Sequence, residues 1–302
     1  MLTKAKVIKG GAALIILFTS GMLTLSGAKQ ELSAAEAAVH VSTIAVNDVV
    51  ESKNNASIST ADVITKGTVG DTSEAAPLEK DVQAIDAKGD LNDYVLKVIN
   101  QYKGNKYPYL LNDDYENYNG VTQNIVYKGS LIAKANPDGS KSSHCVGLTY
   151  EVFFIAMQQR NKDAGISQNN FNNMSADNMK DFLLTWYAAK GTPKTEGDQL
   201  AGALVKYGLG VLIKSLEEAK SGDFIDFSRT KSGHTAVFIN WMRNDAGKIV
   251  GFKYWSTQES THGISYKVEY FSDNNEQAFI GTVNRNQLYI GRVGPIKKYK
   301  AF

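Results

Sequence analysis

Cys145 and His234 are the residues of this sequence whose types and settings could carry nucleophilic chemistry. Cys145 is the only cysteine among 302 residues, so no disulfide can form within the chain. A lone cysteine is most often a small buried hydrophobe. At a helix start it becomes a different object, because the N–H groups and the positive end of the helix dipole favour the thiolate and can hold an oxyanion. The surrounding residues predict that placement. Asn136-Pro137-Asp138-Gly139-Ser140 has strong turn chemistry, and the loop ends at Ser142-Ser143-His144-Cys145. Leu148, Val152, Phe153, Ile155 and Ala156 then follow at helical spacing through 146–160.

Attack on a carbonyl also needs a base beside the sulfur. His144, His234 and His262 are available, and His234 is the best placed. It follows Ser232-Gly233 and opens the apolar strand Thr235-Ala236-Val237-Phe238-Ile239, so its imidazole is expected to face the end of a helix packed on the sheet. A base needs an acceptor on its far nitrogen to fix the tautomer. If 234–242 and 250–258 form a hairpin about Asp245-Ala246, position 257 or 258 falls opposite His234. Gln258 can accept through its amide oxygen; Ser256, on the same face, is the second choice and Glu259 the third. His144 reads as structural or substrate-facing, and His262 as part of the turn Ser260-Thr261-His262-Gly263. Zinc held by Cys145, His234 and His262 has no CxxC, HxxxH or HExxH spacing behind it, so no metal and no cofactor are expected.

These residues need elements to hold them. Apolar spacing predicts a first helix over 91–101, and 167–220 reads as mostly helical, most clearly at 179–190 and 199–206. The period then changes from 3.6 to 2, giving strands at 224–227, 234–242, 250–257, 264–271 and 287–293. Helices first and an antiparallel sheet second is an α+β pattern. Trp186, Trp241 and Trp255 fall in apolar settings and are expected in the core, whereas Asp223 reads as a turn residue. Tyr107, Tyr109, Tyr115 and Tyr118 fit either loop packing or the wall of a glycan or peptide groove.

The N-terminus reads as an export signal over 1–28. Lys4, Lys6 and Lys9 precede an apolar run over 11–25, and Ser26-Gly27-Ala28 supplies a cleavage site. That run falls short of the ~20 residues that span a bilayer, so no membrane span is expected after cleavage. Residues 29–90 are rich in Ala, Ser, Thr and charged residues and poor in aromatics; they read as a spacer or pro-segment, with His40 inert inside it. One catalytic domain, 91–302, is expected to follow. A net charge of +2 gives no nucleic-acid signature, though it suits an anionic cell wall.

Lys106-Tyr107-Pro108-Tyr109, His144-Cys145-Val146-Gly147-Leu148, Gly222-Asp223-Phe224-Ile225 and Gly233-His234-Thr235-Ala236-Val237-Phe238-Ile239 occur in an order that resembles the NlpC/P60 peptidases and their CHAP amidase relatives, papain-like cysteine hydrolases of bacterial cell walls. The resemblance implies a papain-like α+β fold, with the nucleophile helix packed on an antiparallel sheet. It implies Cys145 as nucleophile, His234 as base, Gln258 as orienter and Tyr109 as a donor near the oxyanion; from their positions beside these residues, His144 and Ser256 are also set toward substrate or oxyanion. The chain departs from the family at His144, where Asp is usual, at Val146, where Ser is usual, and in the long stretch between Cys145 and His234. The expected activity is cleavage of amide bonds in peptidoglycan peptides by a secreted monomer. Acyl transfer to an amine would use the same residues, and a non-catalytic wall-binding protein on the same scaffold is the alternative from another class.

Overall fold

Leu91, Tyr94, Val95, Val98 and Ile99 recur at helical spacing, are all buried, and fold around α1 (Asn92–Ile99). In the computed structural model the described residues are 86–302 apart from 88, 104–105, 112–113 and 190–198. The signal expected over 1–28, nearly all of the spacer expected over 29–90, and His40 lie outside them. Helix α2 (Cys145–Asp163) begins at the nucleophile candidate and carries Arg160 and Lys162 in its last turn, where cations favour the dipole. Leu148, Tyr150, Val152, Phe153, Phe154, Ala156 and Met157 are buried around it, so α2 is a central helix with no wholly polar face. Helix α3 (Ala176–Trp186) starts from a capping box between Ser175 and Asn178, and α4 (Leu200–Lys206) follows.

Aromatic rings join the helices to one another and to the sheet. Phe153 stacks on Phe182 at 5.0 Å and meets Trp186 at 5.2 Å, and Trp186 in turn meets Phe224 of the sheet at 5.2 Å. Such ring pairs add to the area they bury.

The sheet consists of β3 (Gly210–Ile213), β4 (Phe224–Arg229), β5 (Gly233–Arg243), β6 (Ile249–Gln258), β7 (Gly263–Tyr270) and β8 (Val283–Val293), in the order β3-β8-β4-β5-β6-β7. Every neighbouring pair is antiparallel. The fold is therefore α+β, as the change of period suggests. The strand at 210–213 and the first third of β8 lie where no strand was expected, and so does a small hairpin of β1 (Ile125–Tyr127) and β2 (Ser130–Ala133) inside the Tyr- and Asn-rich stretch. That hairpin turns at Lys128-Gly129, both with positive φ, the conformation of the tight turn that matches strand twist.

The alternation of side chains along the strands produces two cores. Phe224, Val237, Trp255 and Val293 face the helices and join their core. Ile225, Phe227, Ala236, Phe238, Phe252, Tyr254 and Ile290 form a second core on the other face. Trp186 and Trp255 are buried on the helix side, and Trp241 is partly buried against the second core. Among the described residues no helix is long and apolar enough to cross a membrane.

Candidate functional site

Cys145 is the first residue of α2, as the turn and the spacing predict, and it is only partly buried. No acidic residue stands in the first turn, so nothing there offsets the positive end of the dipole. The direction of the helix over the sheet follows from its contacts. Thr149 Oγ1 lies 3.3 Å from Thr235 Oγ1, and one turn later Phe153 meets Phe224, which pairs with Val237. Cys145, one turn before Thr149, thus lies toward the Gly233 end of β5.

His234 is at that same end but on the opposite face. It pairs with Phe227 across β4, and its ring lies 5.5 Å from both Phe227 and Tyr254, in the second core. Its neighbour Thr235 is the residue that faces α2. The expectation that His234 faces the helix is corrected here, and the reason is the period of a strand: if Thr235 and Val237 point to the helices, His234 cannot. Both imidazole nitrogens are buried with no hydrogen-bond partner, so no bond to Cys145 Sγ is made. Burial and the nearby charges of Arg229 and Lys267 hold its pKa well below the usual histidine value.

Gln258 is likewise committed elsewhere. The register Val237↔Trp255, continued, sets Gln258 across from His234 as expected. Its Oε1 nevertheless accepts from Arg229 Nη2 at 3.2 Å, while Nε2 donates to Ser260 Oγ at 2.8 Å. Ser256 Oγ donates to the Thr235 carbonyl at 2.8 Å. Glu259 opens a short 3-10 turn, and His262 is exposed in a left-handed conformation after it. Neither Gln258 nor Ser256 bonds to His234, so the expected triad is not assembled.

The other expected site residues do cluster at the helix start. Tyr109 forms a parallel bridge with Ser143, and Ser143 N donates to Pro108 O at 3.0 Å, which sets the Tyr107-Pro108-Tyr109 segment beside Cys145. Tyr118 is buried, with its hydroxyl on Leu110 O at 3.0 Å, and so serves packing. His144, read as structural or substrate-facing, is structural, the N-cap of α2: it is 2% exposed and its Nδ1 accepts from Gly147 N at 3.3 Å. Burial lowers its pKa to about 4.

Both buried histidines therefore tie stability to pH. A group whose folded pKa is depressed contributes its full stability above the unfolded value, about 6.5, and loses it as pH falls toward the folded value. For His144 that loss is about 3 kcal/mol between pH 6.5 and 4, and His234 adds in the same direction. Urea unfolding at pH 7 and pH 4.5 should show the fall, and His144→Asn should recover part of it. A flat profile across this range would mean that neither ring is buried uncharged.

Sequence reasoning passed over three buried charged residues. Glu151, two turns along α2 from Cys145, accepts from Thr122 N, Thr122 Oγ1, Tyr102 OH and Gln123 Nε2 at 2.6–3.2 Å. Burial raises its pKa against those bonds. Arg229 and Glu269 form an ion pair beneath Tyr254. A carboxylate within the apolar first half of α2 was the available signal for Glu151. Among the described residues no group of His, Cys, Asp and Glu gathers to hold a metal ion. The chain matches no family model, no curated protein and no solved structure.

Proposed function

We propose that this protein is an exported thiol hydrolase of papain-like design, with Cys145 as nucleophile, acting on amide bonds of cell-wall peptides. The observation that carries this reading is the placement of a partly exposed thiol as the first residue of the 19-residue helix α2, at the end of the sheet where His234 and Gln258 also lie. There the helix dipole favours the thiolate and the developing oxyanion. Attack forms a thioester and expels the amine, and water then hydrolyses the thioester.

His234, packed on Phe227 and Tyr254 on the face of the sheet away from α2, cannot take the thiol proton, so the reading rests on the thiolate that the helix start favours, and the leaving amine takes its proton from water. One observation favours a second reading, a wall-binding protein without catalysis: His234 sits on the face of the sheet away from α2.

The purified protein, incubated with peptidoglycan, separates the two. Hydrolysis predicts release of new amine termini and its abolition in Cys145→Ala. Sedimentation with the wall, without new amines, in wild type and Cys145→Ala alike would establish the binding reading. An added primary amine, if incorporated into the peptide, would identify acyl transfer.

A further inference from the structure

His144 stands at the head of α2 under constraints that packing alone does not demand. Its backbone N donates to Gly120 O at 3.2 Å, and its ring lies edge-on to Tyr118 at 5.8 Å and to Tyr187 at 5.9 Å. Those two rings are themselves tied down, Tyr118 through Leu110 O and Tyr187 through Asn119 O. Gly120 has φ +72, and a Cβ there would collide with the imidazole; a Cβ on Gly147 would collide with the Gly120 carbonyl. Glycine is thus required at 120 by the ring and at 147 by the Gly120 backbone.

The hydrogen bond decides the charge of this cap. Because Nδ1 accepts from Gly147 N, it carries no proton, and the ring is the neutral Nε2–H tautomer. Its Nε2 is buried without a partner. The usual strong caps are Ser, Thr, Asn and Asp. An aspartate would satisfy the same N–H group, but it would set a negative charge one residue from the thiol.

Resting on the reading of Cys145 as nucleophile, we propose that His144 is a positioning residue: a locked, uncharged cap that holds the first turn of α2 around Cys145 without opposing a thiolate. The ring is faced by Tyr118 and Tyr187, whose phenols are kept protonated by burial; Glu151 and Asp138 are the carboxyl groups that act on those phenols, and both are unchanged in every variant compared. A negative cap should raise the pH at which the thiol ionises by about one unit relative to wild type, and loss of the cap acceptor should raise it less, by loosening the first turn.

Cys145 is the chain's only thiol, so its titration can be read directly from the rate of iodoacetamide alkylation against pH. His144→Asn, which keeps a neutral acceptor, is expected to titrate within about half a unit of wild type. His144→Asp is expected about one unit higher, and His144→Ala higher than Asn. Folding of each variant is checked by circular dichroism. If Asp titrates like wild type, the proposal is overturned; if Asp fails to fold, equal titration of the Asn and Ala variants overturns it instead. This readout is independent of turnover. Shifted titration without Cys145-dependent cleavage would sink the hydrolase reading and leave the cap standing, whereas cleavage with unshifted titration would do the reverse.

Discussion

Replacing Asp223 with alanine is expected to lower the unfolding free energy by about 3–5 kcal/mol, the cost of removing one partner of a buried ion pair. The Asp223 side chain is fully buried, and the Arg292 side chain opposite is 11% exposed. Oδ1 accepts from Arg292 Nε at 2.7 Å and Asn92 Nδ2 at 2.8 Å; Oδ2 accepts from Arg292 Nη2 at 2.7 Å and Lys220 N at 2.8 Å. One carboxylate thus fastens α1, the entry to β4 and the edge of β8 together. Alanine leaves the guanidinium of Arg292 with only the Glu218 carbonyl among these partners. Equilibrium urea unfolding measures the effect, and a loss below about 1 kcal/mol would show that water replaces the carboxylate at no great cost. The sequence reads Asp223 as a turn residue, and it does follow Gly222 at φ +91. What it ties down lies 69 and 131 residues away.

Glu269→Ala should cost a comparable amount, about 3–5 kcal/mol, for the same reason on the other face of the sheet. Arg229 donates to both Glu269 oxygens, at 2.8 and 2.5 Å, and Tyr254 OH donates to Oε1 at 2.6 Å. The Arg229 and Glu269 side chains are 7% and 10% exposed. Burial alone would raise the Glu269 pKa; the bonds and charge of Arg229, with help from Lys267 and Tyr254, outweigh it and lower the value. A depressed carboxylate contributes stability that is complete above the unfolded pKa, about 4.3, and lost as pH falls through the folded value. Wild type should therefore lose stability below pH ~4.3, and Glu269→Ala should show a shallower fall there than wild type. The variant also tests the sheet around His234, since Arg229 donates to Gln258 as well. Equal acid sensitivity of the two proteins would mean that the pair contributes little.

Much of the architecture was legible because it depends on neighbours in sequence. The turn chemistry of 136–140 and the apolar spacing from Leu148 locate the start of α2, and the structure begins that helix at Cys145. The change of period after Asp223 locates the antiparallel sheet, with strand ends displaced by one or two residues at most of the expected strands. The β1–β2 hairpin was hidden by the polar residues around it, and the strand at 210–213 by its nearness to helical sequence. Even the pairing that sets Gln258 opposite His234 could be counted from the turn at Asp245-Ala246.

The partners of those residues were not legible. Thr235 to Ile239 has alanine, valine, phenylalanine and isoleucine on both faces, so alternation carries no sign of which face meets the helices. The sequence alone determined that a single thiol opens a long helix and that a histidine opens the strand beside it, because helix starts and strand starts are written in local turns and spacing. Only the tertiary structure decided that Thr235 meets Thr149 while His234 packs on Phe227 and Tyr254, and that His144 is a cap and not a substrate contact. Both outcomes are set by which surfaces bury best against one another, and residues distant in the chain settle that together.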